Sequence, residues 1–213
     1  MSCLGIDIGL KNLALCVIKD RRILLWDVYN ILDEEFTCDK CKRKAKYRLS
    51  KEYFCGIHSR KLQGKLPLVV KKISSYSFHD ITKKIIQKIE EIAKDNNDLM
   101  DGISSVVIEL QPKINQRMKF TSHVIFTMFT YLCRHTKCSI KFERASLKLK
   151  KLKFKHKIPN TYKNRKKRAV DYTLECMKGG VISNSADYQE MLSTKSKLDD
   201  LSDAFLLSYN NSK

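Results

Sequence analysis

Four acidic residues from distant parts of the chain are placed where a carboxylate could hold a metal. Asp7 lies inside an apolar run at residues 3–8, and Glu109 ends a second apolar run, while Asp200 and Asp203 stand three residues apart in a helical pattern. A carboxylate in an apolar strand costs free energy unless it is paired or bound to a metal. Pairs of Mg²⁺ ions held by carboxylates catalyse in-line phosphodiester cleavage in many enzymes. The four acids therefore predict a site for two Mg²⁺ or Mn²⁺ ions.

Each acid also has a structural interpretation. Asp7 could cap the turn before Gly9, and Glu109 could belong to a buried ion pair. Asp200 and Asp203 could favour the positive end of the helix dipole. Residues at i and i+3 share one face of a helix, so Asp200 and Asp203 can act together. The combination of this pair with Asp7 and Glu109 favours the metal site.

A second set of residues has the composition of a zinc site. Cys38 and Cys41 are followed after thirteen residues by Cys55 and His58, with a segment rich in Lys and Arg between the pairs. Three thiolates and one imidazole form a closed tetrahedral set, so this Zn²⁺ would be structural. The metal would fold an insertion at residues 34–66 that is too small and too charged to fold alone.

The charge balance favours a polyanionic partner. The 213 residues include 42 Lys and Arg against 23 Asp and Glu. Residues 146–168 contain no acid, and such a tract either binds phosphates or is merely solvated. The residues expected to contact DNA are Lys113, Asn115, Arg117, Lys148, Lys150, Lys151, Lys153, Lys163, Arg165, Lys166 and Arg168.

Hydrophobic periodicity predicts the elements that must position these side chains. Strands are expected at residues 2–8, 13–18, 23–28, 103–110 and 139–142, and helices at 80–94, 117–134, 162–177 and 198–209. This order indicates one α/β domain with a mixed sheet and a small insertion. The start of the chain lacks a signal-peptide pattern, and no apolar run reaches membrane-spanning length. We therefore expect an intracellular protein with no membrane partner and with reduced cysteines.

Four short motifs, taken in order, resemble those of the poxvirus-type Holliday junction resolvases, which are RuvC-like members of the RNase H superfamily. They are Gly-Ile-Asp-Ile-Gly-x-Lys-Asn at residues 5–12, Ile-Glu-x-Gln at 108–111, Asn-Arg-Lys-Lys at 164–167 and Asp-Asp-x-x-Asp-Ala at 199–204. The resemblance covers nearly the whole chain outside the cysteine-rich insertion. It implies an RNase H-like five-stranded sheet flanked by helices.

The same resemblance implies an activity and the residues that perform it. The enzyme would be a dimeric, metal-dependent endonuclease that cuts opposing strands of branched DNA. Asp7, Glu109, Asp200 and Asp203 would match the metal-binding acids, and Lys167 would match an active-site lysine before a helix. In a virus, the protein would work in the host cytoplasm or at the site of viral replication.

Other functions remain open on the sequence alone. The zinc module and the basic tract would suffice for a non-catalytic nucleic-acid-binding protein. An RNase H-fold nuclease could also act on an RNA–DNA hybrid or as a transposase-like recombinase. For a dimer, the largely apolar helix at residues 117–134 is the expected interface, because one domain seldom covers all faces of such a helix.

Overall fold

Three antiparallel strands open the chain: β1 (Ser2–Ile8), β2 (Asn12–Lys19) and β3 (Arg22–Asn30). The computed structural model describes residues 1–32, 36–62, 67, 73–111, 114–150, 161–194 and 197–212, without the side chains of residues 73, 148–150 and 162. A separate hairpin, β4 (Tyr47–Leu49) and β5 (Glu52–Phe54), lies within the cysteine-rich insertion. Two later strands, β6 (Ser105–Leu110) and β7 (Ser139–Arg144), complete the main sheet.

The main sheet has the order β3-β2-β1-β6-β7. Strands β1, β6 and β7 are parallel, so their carboxyl ends lie along one edge of the sheet. Ile6 pairs with Ile108, which places Asp7 and Glu109 side by side at that edge. The strand register therefore joins two acids that are distant in the sequence.

Helices cover both faces of the sheet. They are α1 (Phe78–Asp95), α2 (Asn97–Asp101), α3 (Gln116–Leu132), α4 (Ala145–Lys150), α5 (Tyr162–Lys178), α6 (Gln189–Thr194) and α7 (Leu198–Asn211). On one face, the buried side chains of β1 and β6 pack against α1 and α3. On the other face, α5 and α7 pack against β2 and β3 around Trp26.

Helix α1 begins at a capping box and packs on the sheet through a stripe of isoleucines. Ser77 accepts a hydrogen bond from the Asp80 N–H, and Asp80 accepts one from Ser77 N–H in return, so the first turn has a capping box. Ile81, Ile85 and Ile89 are each 1% exposed. This stripe of β-branched residues fixes α1 against the sheet.

Helix α7 approaches β1 unusually closely at Gly5. A Cβ atom at Gly5 would lie 2.3 Å from the Ala204 carbonyl oxygen and 2.5 Å from the Ser208 nitrogen. Ser208 also donates a hydrogen bond to the Cys3 carbonyl and accepts one from the Ile18 N–H. This contact positions the start of α7, which carries Asp200 and Asp203, beside the end of β1.

The predicted fold class is confirmed. Every predicted strand and helix is present, with ends that differ by no more than two residues, while the short helices α2, α4 and α6 were not predicted. In α3, the fully buried side chains form one stripe, and the apolar residues beside it are half-buried in this single chain. Among the described residues, no helix is long and apolar enough to cross a membrane.

Candidate functional site

The four acids predicted to bind metal line one cleft at the carboxyl edge of the sheet. This cleft has a volume of about 520 Å³ and contains Asp7, Glu109, Asp200 and Asp203. One carboxylate oxygen from each of Asp7, Glu109 and Asp203 lies within 4.8 Å of the other two. Asp7 is 9% exposed, so its charge needs compensation from its surroundings. The structure thus brings all four predicted acids together.

The two acids of α7 have different surroundings. Partial burial and the charge of Asp199 raise the pKa of the Asp200 carboxyl, whereas Lys166 and a hydrogen bond from Asn12 oppose that rise. Burial also disfavours ionised Asp199, but the hydrogen bond and charge of Lys166 outweigh burial and lower the pKa of Asp199. Asn12, which was not singled out from the sequence, lies in the same motif as Asp7.

Two described basic residues, Arg165 and Lys166, line the cleft, and Lys166 contacts its acids. The Lys166 ammonium forms an ion pair with Asp199 and lies 3.8 Å from Asp200 Oδ1. Lys167, which the resemblance pointed to, is one position further round α5 and is exposed. Lys166 lies on the same side of α5 as the buried Ala169 and Thr173, and the rotation of α5 that buries them is not visible in the sequence.

The residues expected to contact DNA fall into three groups. Asn115 and Arg165 line the cleft with Lys166, and Asn115 also caps α3 by accepting a hydrogen bond from the Met118 N–H. Lys163 is exposed and Arg168 is half-buried. The side chains of Lys113, Lys148, Lys150, Lys151 and Lys153 lie outside the described residues.

Arg117 has a structural partner. Its guanidinium donates hydrogen bonds to the Tyr76 carbonyl, at 2.8 Å, and to the Ser74 carbonyl, at 3.2 Å. The same group lies over the Phe78 ring, 5.4 Å from the centroid. Arg117 therefore ties the segment that follows the insertion to the first turn of α3, and a DNA contact by this residue stays a prediction.

The acidic cluster suits a hard divalent cation. Carboxylate oxygens are the ligands that Mg²⁺ and Mn²⁺ prefer. Three carboxylates with oxygens within 4.8 Å repel one another unless a cation neutralises them. Asp7, Glu109 and Asp203 could share one ion, and Asp200 lines the same cleft as a further ligand.

The predicted zinc ligands also converge. Cys38 and Cys41 lie at the start of the insertion, and Cys55 follows β5, while His58 begins a short 3₁₀ helix. Their four ligand atoms lie within 4.8 Å of one another. We call residues 36–62, which contain these ligands, the cysteine module.

The spacing of these atoms fits tetrahedral zinc. At a Zn–S bond of about 2.3 Å, the sulfur atoms of a tetrahedral site lie about 3.8 Å apart. The Cys41 and Cys55 sulfurs are 3.7 Å apart, and His58 Nδ1 lies 3.4 Å from the Cys38 sulfur. Hydrogen bonds from the backbone of His58 and Ile57 lower the pKa of the Cys55 thiol, although burial opposes this shift. The lowered pKa favours the thiolate form, which is the form that zinc binds.

We expect the purified protein to contain about one tightly bound Zn²⁺ per chain. Replacing Cys38 and Cys41 together by Ser should remove the metal and loosen residues 36–62 while the main sheet stays folded. Metal analysis and hydrogen exchange measure the two effects. The double variant Cys133→Ser with Cys138→Ser is the control and should keep its zinc, and a zinc-free parental protein prepared without chelator would contradict the assignment.

Comparison with known proteins places this arrangement in a family. The model of a family described as Poxvirus A22 protein matches residues 68–211, a range that includes Glu109, Asp200 and Asp203. Asp7 and the cysteine module precede the matched range. A search of curated proteins gives no match.

Solved structures that match this chain include a Holliday junction resolvase and a RuvC protein. The yeast mitochondrial Holliday junction resolvase Ydc2 has a TM-score of 0.53 and 15% identity, and the match covers 97% of this chain and 75% of that one. RuvC of T. thermophilus in complex with Holliday junction substrate has a TM-score of 0.48 and 11% identity, with 98% and 90% covered. The likeness to Ydc2 shows a shared fold over nearly the whole chain. The chain therefore belongs to the poxvirus A22 family of Holliday junction resolvases and shares the fold of Ydc2.

Proposed function

We propose that this protein resolves four-way and other branched DNA junctions by metal-dependent paired nicks that leave 5′-phosphates. The observation that carries the proposal is the convergence of Asp7, Glu109 and Asp203 in a cleft that also holds Lys166. An acidic centre beside a cation is suited to a phosphodiester, because the acids hold metal and the cation meets the anionic substrate.

In this proposal, the acids hold two Mg²⁺ or Mn²⁺ ions. When bound, such ions lower the pKa of an attacking water and stabilise the leaving 3′ oxygen. Asp7 keeps its oxygens close to the backbone of β1, so its short side chain allows little movement of the ligand atoms. Asp200 and Asp203 approach from α7, which the close contact at Gly5 fixes against the same strand.

Lys166 is proposed to stabilise negative charge on the scissile phosphate. Its side chain is 31% exposed, and its ammonium pairs with Asp199 and lies 3.8 Å from Asp200, so it is held at the site before substrate arrives. A preorganised cation lowers the barrier without reorganisation during the reaction. Lys167 is the alternative that follows from the motif.

Replacing Lys166 by Ala should slow single-turnover cleavage of saturating junction by more than about tenfold, or about 1.4 kcal/mol in barrier. Junction affinity should change little, because many other cations remain. Lys167→Ala serves as the matched control and should cleave at nearly the parental rate. The opposite ranking would return the role to Lys167, and two silent variants would remove the catalytic lysine from the proposal.

Paired nicks require two sites on one junction, so we propose a homodimer formed through the outer side of α3. An apolar groove of about 270 Å³ between α1 and α3 is lined by Ile86, Phe120, Val124 and Met128. Phe120 is 36% exposed and the neighbouring Phe78 is 44% exposed. Burying these rings against a second copy would remove apolar area from water.

Sedimentation should therefore give a dimer at micromolar concentration. Phe120→Glu should yield monomers, because the dimer would bury an unpaired charge. That variant should nick one strand without coupling the second nick. A parental protein that stays monomeric both free and on a junction would refute the dimer.

The overall proposal is tested by nicking assays on a four-way junction, a flap, a linear duplex and an RNA–DNA hybrid in Mg²⁺. Faster cleavage of the junction than of the duplex is expected. Preference for the hybrid would instead identify a ribonuclease H activity. If none of the four substrates is cut, the result would favour a non-catalytic binding protein.

A further inference from the structure

The cysteine module has a strongly basic surface. Its exposed cations are Lys40, Lys42, Arg43, Lys44, Lys46, Arg48, Lys51, Arg60 and Lys61. The module contains only two acids. Asp39 accepts a hydrogen bond from the Tyr53 N–H at 2.6 Å, and Glu52 pairs with Lys40 at 3.3 Å. Zinc bound to three thiolates would carry one net negative charge, which leaves the surface clearly positive.

The fold attaches this module beside the acidic cleft. Strand β3 ends at Asn30, which pairs with Asn12 at the same sheet edge as Asp7. The next residue, Ile31, donates a backbone hydrogen bond of 2.7 Å to the Lys11 carbonyl, in the turn that follows Asp7. The chain thus enters the module close to the catalytic acids.

The far end of the insertion is also held near the cleft. Tyr76 donates its hydroxyl to the Leu32 carbonyl at 3.1 Å, which joins the two ends of the inserted segment. Arg117 then holds Ser74 and Tyr76, and it lies two residues after Asn115, which lines the cleft. The segments on either side of the module, at residues 31–32 and 74–76, are therefore attached to elements that form the cleft.

The sheet sets the scale of this arrangement. Strand β3 is two strands from β1, which is about 10 Å at the usual spacing between strands. This distance equals about three base pairs of B-DNA. At the opposite side of the sheet, β7 ends at the same edge and leads into α4 and the basic tract. The acids are therefore flanked by basic segments on both sides.

We propose that the cysteine module is a second DNA-binding surface, whose exposed lysines and arginines contact backbone phosphates of the duplex arm that leads away from the scissile phosphate. The inference rests on the proposed function for the identity of the substrate. Backbone contacts position a duplex without reading its sequence. The module would thus hold an arm of the junction while the central acids cut.

The test replaces Lys46, Lys51 and Lys61 together by Gln. The matched control is Lys19→Gln with Lys94→Gln and Lys137→Gln, which removes the same charge from three exposed lysines at the opposite edge of the sheet. Affinity for an immobile four-way junction is measured over a range of salt concentrations, without Mg²⁺ and without a chelator that would strip zinc. Zinc content and melting temperature are measured for every variant.

The module variant should bind more than about tenfold more weakly near physiological salt. The slope of the logarithm of its binding constant against the logarithm of salt concentration should be shallower by up to about three. The control should bind within about twofold of the parental protein, because its charges lie beyond the screening length from the DNA. Lys51→Glu alone, in the hairpin turn away from the zinc ligands, should weaken binding in the same direction and keeps the test informative if the triple variant loses zinc.

The outcomes separate the inference from the function. Equal affinities of the module variant and the control would overturn the inference, even if the parental protein nicks junctions. A parental protein that binds but never nicks a junction in Mg²⁺ would overturn the proposed function, while the binding comparison would still decide the role of the module.

Discussion

Asp7→Asn should reduce the rate of junction cleavage by at least about a thousandfold, or about 4 kcal/mol in barrier. The amide keeps the shape of the side chain but removes the negative charge that attracts a divalent cation. Asp7 supplies one of three carboxylates whose oxygens lie within 4.8 Å of one another, so its loss affects the whole site. Single-turnover cleavage in Mg²⁺ measures the effect, and Glu109→Gln should behave in the same way.

Binding provides the control for this prediction. Both variants should bind an immobile junction about as well as the parental protein, because the basic surface is unchanged. They should also melt at or above the parental temperature in the absence of metal, since the substitution relieves repulsion between carboxylates. Near-parental cleavage by either folded variant would exclude the acidic cluster as the catalytic centre.

Gly5→Ala should both destabilise the protein and slow cleavage. A Cβ atom there would lie 2.3 Å and 2.5 Å from backbone atoms of α7, and backbone cannot move aside as a flexible side chain can. Overpacking of this kind costs about 1–3 kcal/mol. Because α7 carries Asp200 and Asp203, any shift of the helix away from β1 also separates these acids from Asp7.

Thermal or denaturant unfolding measures the stability change, and single-turnover cleavage of the folded fraction measures the catalytic one. Gly102→Ala is the matched control: its Cβ would meet only atoms at 3.6 Å and 3.7 Å, and its backbone φ is −85°, which alanine adopts freely. That variant should be neutral or slightly stabilised. If Gly5→Ala unfolds like the parental protein, the close contact does not position α7.

The sequence was sufficient to predict the longer helices and the strands of the main sheet, and it singled out the acids and cysteines that converge in the structure. Apolar periodicity located the strands that carry Asp7 and Glu109, because a buried strand needs an almost continuous apolar run. The i, i+3 spacing of Asp200 and Asp203 placed both on one side of α7. The zinc ligands were recognisable because their residue types and short spacings meet the coordination requirements of the metal directly.

The parts that the sequence did not reveal depend on tertiary contacts. The choice between Lys166 and Lys167 depends on how α5 is rotated, and the first turns of that helix are basic on all sides. The structural role of Gly5 depends on α7, about 200 residues later in the sequence. The role of Arg117 depends on Tyr76, about 40 residues earlier. No local pattern specifies such partners, because they follow from how the helices settle on the sheet.

The hydrogen bond between Tyr76 and Leu32 has a consequence for the history of the fold. It joins Leu32 and Tyr76, which flank the cysteine module in the sequence, so the chain leaves the domain and returns to it at one place. An ancestral enzyme could have gained or lost such an inserted segment as a unit, because neither event requires the sheet to change its connections. The proposed DNA-binding surface could therefore have changed in evolution without a change in the acids of the cleft.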